Sequence, residues 1–314
     1  MRGRAWRRTL YPIGVVTGGL LFVFQVVRGY QEINYGLFHT AFFQAWGVAV
    51  SLVIMAFGLQ MVAWSRLMRG LGTRLPWSEV IAGYTLSFLP RYIPGSVWGY
   101  LSRSQWLYQA HSVPYGLSNL GSLLEVIASV ITAIMMIGIY AISITSELSQ
   151  VTLALVIFSL PFAAWLLLRW VGRVSFIARL VTDKSGKISL LGISLTDWVV
   201  VVFLYLLLWA CYGTSILVLI QAFNLPDRGS LTTATFAFSA SWLAGFLVIF
   251  VPAGLGVREL VLASLMATGF DLLASQASGV AVVSRFTISL SEGVWVLLGI
   301  ILTQLEKRRS RDAS

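Results

Sequence analysis

The sequence predicts an all-α integral membrane protein. Three observations carry this: 58% of its 314 residues are hydrophobic and 11% charged, the apolar residues fall in long runs, and two of those runs are broken by a proline turn with an arginine beside it. A soluble domain carries roughly 25% charged residues, so most of this chain's surface cannot face water. Runs of about 20 apolar residues suit membrane helices, whereas an outer-membrane barrel shows weaker, alternating segments.

Six full spans are expected: Leu10 to Val27, Phe42 to Trp64, Leu117 to Ile144, Val151 to Leu168, Trp198 to Ile220 and Gln276 to Leu302. Each can cross about 30 Å of hydrocarbon. Arg2, Arg4, Arg7 and Arg8 before the first span resemble the start of a secretory signal. No small-x-small cleavage site follows before Arg28, so an uncleaved span is expected. The interrupted segments, Glu79 to Leu107 and Leu231 to Phe270, read as re-entrant helical hairpins, and counting each as a span gives eight.

Charge sets an expected orientation. With both termini in the cytoplasm and both hairpins re-entrant, 17 of the 22 basic residues fall inside, Arg103 among them. Only Arg28 and Arg228 fall outside, and Arg91, Arg258 and Arg285 stay at membrane depth. That bias is the positive-inside rule. The hairpins then enter from opposite sides, each preceded by two spans and followed by one, which makes residues 9–144 and 151–303 inverted pseudo-repeats of a single membrane domain. An offset of 158 pairs Phe88 with Phe246, Leu89 with Leu247, Tyr92 with Phe250 and Pro94 with Pro252.

The net charge of +10 does not signal nucleic acid, because the basic residues sit in short loops between spans. Cys211 is the sole cysteine and lies in an apolar run, which excludes an intrachain disulfide and a thiolate cluster. His39 and His111 lack ligand spacing and read as loop or interfacial residues. No metal or other cofactor is expected. The longest connection, Arg169 to Asp197, is too short for a soluble catalytic module, since domains need about 50 residues. Trp6, Trp64, Trp77, Trp106 and Trp170 read as interfacial anchors.

The two breaks hold the chemistry. They are Arg91-Tyr92-Ile93-Pro94-Gly95 and Phe250-Val251-Pro252-Ala253-Gly254, the second followed by Gly256, Arg258 and Glu259. Proline removes a backbone donor and displaces the preceding turn, so backbone groups are freed that lipid cannot satisfy. A half-helix restarting after the break presents N–H groups and a positive dipole end to an anion. Arg91 and Arg258 add full charges there, and a guanidinium suits phosphate because its planar fork donates two parallel bonds. Arg285, Ser289 and Glu292 share one helical face, and Asn119, Ser122, Glu125 and Ser129 form a similar stripe. A charge at the bilayer centre costs at least about 2.5 kcal/mol, so both stripes should face the interior. Arg91, Arg258 and Arg285 with Glu125, Glu259 and Glu292 then form one polar core, whose alternative reading is mutual neutralisation, as in Arg258 with Glu125 or Arg285 with Glu292. Ser239 and Ser241 read as packing or helix hydrogen bonds.

At these residues the chain resembles the flippase-like membrane domain of lysylphosphatidylglycerol synthases and their stand-alone relatives. The resemblance lies in Arg91-Tyr92-Ile93-Pro94-Gly95 with Trp98 and Arg103, Leu123-Leu124-Glu125, Val251-Pro252-Ala253-Gly254-Leu255-Gly256-Val257-Arg258-Glu259, and Ser284-Arg285-Phe286 with Glu292. These run in the family's order over about two-thirds of the chain. Ala253 stands where a glycine is commoner. The resemblance implies movement of lipids with modified head groups across the bilayer, with stand-alone members linked to glycolipid or polyprenyl-phosphate pathways. The synthases' cytosolic aminoacyl-transferring domain has no counterpart in this sequence.

The sequence therefore leads to the expectation of a lipid translocase in the cell membrane, and not an enzyme. Arg91, Arg103, Arg258 and Arg285, with Pro94, Gly95, Pro252, Gly254 and Gly256, would hold an anionic phosphate head group. Glu125, Glu259 and Glu292 would orient the arginines, bind a cationic head-group moiety or exchange protons. Two other readings stand beside it: an intramembrane head-group transferase with a glutamate as general base, for which no nucleophile-base pair stands out, and a non-catalytic partner of a membrane glycosyltransferase. A homodimer is a further expectation.

Overall fold

The computed structural model describes residues 2–37, 40–93, 98–145, 147–173, 193–226 and 229–312. Pro94, Gly95, His39, Arg228 and the basic residues Arg179, Lys184 and Lys187 lie outside them. The described residues form ten α-helices and no strand: α1 (Arg2–Leu37), α2 (Thr40–Gly70), α3 (Trp77–Thr85), α4 (Trp98–His111), α5 (Tyr115–Ile144), α6 (Glu147–Arg173), α7 (Leu195–Ala222), α8 (Leu231–Leu247), α9 (Val257–Gly269) and α10 (Ala274–Asp312). Short 3-10 turns occupy Pro90–Tyr92 and Pro252–Gly254.

This is an all-α membrane protein. Among the described residues, five helices are long and apolar enough to cross a membrane: α2, α5, α7, Gln150–Trp170 of α6 and Ala274–Leu305 of α10. They contain five of the six expected spans, and α1 contains the sixth. Helix suits these sequences because every backbone donor within a helix finds its acceptor locally, which lipid requires. Boundaries follow local chemistry. Pro76 and Pro114 stand at the N-caps of α3 and α5, where a missing N–H costs nothing. Ser230 caps α8 by accepting a hydrogen bond from the Thr233 N–H at 3.2 Å.

Both interrupted segments are helix-break-helix. In the first, Ser102 reaches the Leu86 carbonyl at 3.3 Å, Gly83 faces the Trp106 ring, and His111 Nε2 lies 3.1 Å from Glu79 Oε2. These contacts nest about position 94, so α3 and α4 are antiparallel. In the second, Gly245 faces Arg258 and Gly269 faces Thr233, which makes α8 and α9 antiparallel about Val251 and Pro252. Among the described residues, the order of two helices, an interrupted pair and one helix occurs twice.

The chain divides into two compact units, each drawing on both sequence halves. The first comprises Met1–Ala56, Arg91–Ser96 and Trp209–Ser291, and the second Phe57–Pro90, Val97–Leu208 and Glu292–Ser314. In the first unit α1 meets the second break at backbone distance: a Cβ on Gly18 would lie 2.6 Å from Val251 Cγ1 and 2.8 Å from the Leu255 oxygen. Small residues permit such approach where lipid gives helices no hydrophobic drive to associate. In the second unit, α5 packs on α4 and α6, and the Trp198 indole donates to the Pro161 carbonyl at 2.8 Å.

Trp64 corrects an expectation. It is fully buried, while Trp77 and Trp170 are exposed. Ser289 is likewise exposed rather than on the inner face with Arg285.

Candidate functional site

Among the described residues, each unit holds a buried charged cluster. In the first unit the site is built by the second break. Val248 to Leu255 leaves helical geometry, with Ala253 at φ 49°, Gly254 at φ 68° and Gly256 at φ 81°. Two positions show why glycine is needed. A Cβ on Gly256 would overlap the Gly18 oxygen, and one on Gly245 would overlap the Arg258 side chain, so the Arg258 stem fills a slot left by bare backbone. Ala253 adopts the left-handed region without being glycine, at about 1–2 kcal/mol. Ala253→Gly is expected to raise stability by roughly 0.5–1 kcal/mol once glycine's greater unfolded-state entropy is subtracted. An upward shift in the thermal unfolding midpoint checks this, and a downward shift contradicts it.

Around this slot stand Arg258, Glu259 and Arg285. Glu259, at 2% exposure, closes the α9 N-terminus with its own side chain: Oε2 accepts the Gly256 N–H at 2.5 Å. Its Oε1 lies 3.5 Å from Arg285 Nε. The anion at this helix end is therefore an intramolecular carboxylate, not open N–H groups awaiting a ligand. Arg285 is 6% exposed, sits 5.5 Å from the Tyr92 ring centroid, and leaves Nη2 buried without a hydrogen-bond partner. Arg258 has no hydrogen bond or ion pair among the described residues; its guanidinium lies 5.8 Å from the Trp242 ring and its Nε is buried and unsatisfied. Arg258, Arg285, Glu259, Trp242, Ser241 and Ser284 help line a cavity of about 20 Å³, room for about one water. A head group enters only if the site widens.

The second unit's cluster pairs its charges one to one. Arg103, 1% exposed on α4, donates from Nη2 to Glu125 Oε2 on α5 at 2.6 Å and to Ser122 Oγ at 2.8 Å. The guanidinium lies 4.6 Å from the Trp64 ring centroid, 4.7 Å from Tyr84 and 5.6 Å from Tyr100. Glu125 Oε1 accepts from the Tyr84 hydroxyl and from Gln60 Nε2, the latter at 3.3 Å. One cation meets one carboxylate whose two oxygens are both satisfied, while Arg103 Nε is buried without a hydrogen-bond partner.

The structure thus redistributes the sequence-predicted site. It brings Pro252, Gly254, Gly256, Arg258, Glu259 and Arg285 together in the first unit, which also contains Arg91 and Tyr92. Arg103 and Glu125 pair in the second unit, where Glu292 is also buried. The expected neutralising partners change: Arg285 meets Glu259, and Glu125 meets Arg103. Arg103 is no loop residue of the cytoplasmic tally, because α4 carries it inward against α5. Ser239 and Ser241 donate to the Phe236 and Phe238 carbonyls within α8. Sequence reasoning missed Tyr84, Tyr100, Gln60 and Trp242. The hairpin register supplies a signal for Tyr84, since nesting about position 94 sets it opposite Arg103.

The family model described as lysylphosphatidylglycerol synthase TM region matches residues 11–290. No curated protein and no solved structure matches the chain.

Proposed function

The chain belongs to the family of the lysylphosphatidylglycerol synthase transmembrane region, and from that premise we propose that it moves a lipid with an anionic phosphate head group across the cell membrane. The observation that carries this reading is the charge imbalance in the first unit. Among the described residues, Arg258 and Arg285 face one local carboxylate, Glu259, which the Gly256 N–H already engages. An arginine at membrane depth costs at least about 2.5 kcal/mol, and mutual neutralisation would offset that cost only with a carboxylate for each. The surplus donors are matched by a phosphate, which accepts several charge-assisted hydrogen bonds.

In this reading the phosphate lies between Arg258 and Arg285 while the hydrophobic tail remains in the bilayer. Glu259 fixes Arg285 and the turn at Gly256, so the fork of Arg258 stays available. Arg91 belongs to the same unit. In this reading the 20 Å³ cavity corresponds to a closed state, and widening between α8, α9 and α10 admits the head group from one leaflet and then the other. A polyprenyl-phosphate glycolipid and a modified phospholipid both present this chemistry. Arg103 and Glu125 hold the second unit together instead of touching substrate. The two termini lie in the cytoplasm and the hairpins are re-entrant, in keeping with the charge bias along the chain.

Head-group movement of a labelled phosphatidylglycerol in proteoliposomes tests the reading, with protein-free vesicles and a zwitterionic label as controls. At least tenfold faster exchange of the anionic label in the presence of protein is expected. Rates equal to protein-free vesicles for several anionic lipids contradict it.

A further inference from the structure

A second cavity of about 550 Å³ lies in the first unit between α1, α2 and α10, lined by Ile33, Phe42, Trp46, Val283, Phe286 and Leu290, with Ser289. We propose that this groove is a binding site for one acyl chain of a bilayer phospholipid, separate from the arginine site. It is too apolar for water. At about 30 Å³ each, roughly eighteen waters would fill it, yet Ser289 brings the one hydroxyl among these seven side chains, and the Trp46 indole N–H is spent on Thr287 Oγ1 at 2.9 Å. Waters without two to four polar partners do not stay.

Its mouth faces the surroundings of the protein. Phe286 is 54% and Leu290 45% exposed, on a helix that crosses the membrane, so the adjoining medium is hydrocarbon. Depth and direction fit a lipid chain. Phe42 and Trp46 lie in the first two turns of α2 and Ile33 in the last two of α1, near the ends where these helices approach one another in sequence. From there the groove follows α10 from Val283 to Leu290, about 10 Å of helix rise. A chain can enter at the interface beside Trp46 and run inward, its head group remaining at the surface.

The groove does not belong to the arginine cavity. On α10, Ser284, Arg285 and Ile288 line the polar cavity, whereas Val283, Phe286 and Leu290 line the groove. At 100° per residue these sets centre on opposite faces of the helix, with Ser289, about 40° from Arg285, at the edge of the groove between them. One amphiphile would have to wrap α10 to occupy both.

The experiment is photolabelling of the full chain in vesicles of phosphatidylglycerol and phosphatidylethanolamine, using a phosphatidylcholine probe with a chain-terminal diazirine, with adducts mapped by mass spectrometry. Adducts are expected to concentrate on Phe42, Trp46 and Val283 to Leu290, at least fivefold above the exposed α6 positions Leu155 and Phe158. Ser289→Trp, which fills the groove from an exposed position, is expected to reduce them at least fivefold with the α6 background unchanged. Ser289→Ala serves as the folded control and is expected to label as the unaltered protein does. Adducts spread evenly over α6 and α10, or undiminished in Ser289→Trp, overturn the site. Arg258→Ala is expected to leave the groove labelling intact even if it abolishes lipid movement; loss of labelling there overturns a separate phospholipid and assigns the chain to the arginine ligand.

Discussion

Arg258→Ala is expected to abolish head-group movement, reducing the rate at least tenfold to that of protein-free vesicles, while the protein remains folded. The two halves of this expectation have separate causes. Folding survives because Arg258 partners no carboxylate and no hydrogen-bond acceptor among the described residues, so its removal orphans nothing. Glu259 keeps both the Gly256 N–H and Arg285. The losses are the contact with the Trp242 ring at 5.8 Å, worth about 0.5–1 kcal/mol, and the packing of the Arg258 stem against Gly245, and relief from burying an unpaired cation opposes both. Movement fails because Arg258 supplies donors that no neighbour consumes. Arg258→Lys should recover part of the rate, since an ammonium retains charge but not the planar fork. A folded Arg258→Ala protein moving lipid at the unaltered rate would remove the arginine site from the mechanism.

Glu125→Ala carries the largest expected cost in stability, about 3–5 kcal/mol, the range for stripping one partner from a buried ion pair. Arg103 would remain at 1% exposure with its carboxylate gone, and the Tyr84 hydroxyl and Gln60 amide would lose their acceptor. The three aromatic rings around the guanidinium cannot compensate, because those contacts are already made with Glu125 in place and none is gained when it is removed. The double variant Arg103→Met/Glu125→Leu should regain most of the lost stability, since replacing both ions removes two desolvation costs at once. Thermal unfolding in detergent measures the cycle. Lipid movement by the folded double variant is expected to persist, and its loss would place the pair in the transport path.

Much of the fold was legible because its causes are local. Length and hydropathy mark α2, α5, α6, α7 and α10, and a proline with glycines at Pro252 to Gly256 marks the second break. Arg258 and Glu259 are neighbours in sequence, and only Arg285 had to be brought to them. The second cluster was hidden for the opposite reason. Arg103 looks like any basic residue beyond a span, and only the antiparallel closure of α3 on α4 carries it inward to Glu125 on α5. Trp64 at the end of an apolar run resembles an interfacial anchor, yet its ring lies under that guanidinium. Ser289 fits the face of Arg285 by helical period, but periodicity does not show that α1 and α2 leave a groove beside it.

Native mass spectrometry of the purified protein and of Arg258→Ala, released from vesicles containing anionic and zwitterionic lipids, tests most directly whether the first unit's arginines hold a phosphate lipid. The unaltered protein is expected to retain one anionic lipid in preference to zwitterionic lipid, and folded Arg258→Ala to lose that preference. Equal retention of the anionic lipid by both proteins would contradict it.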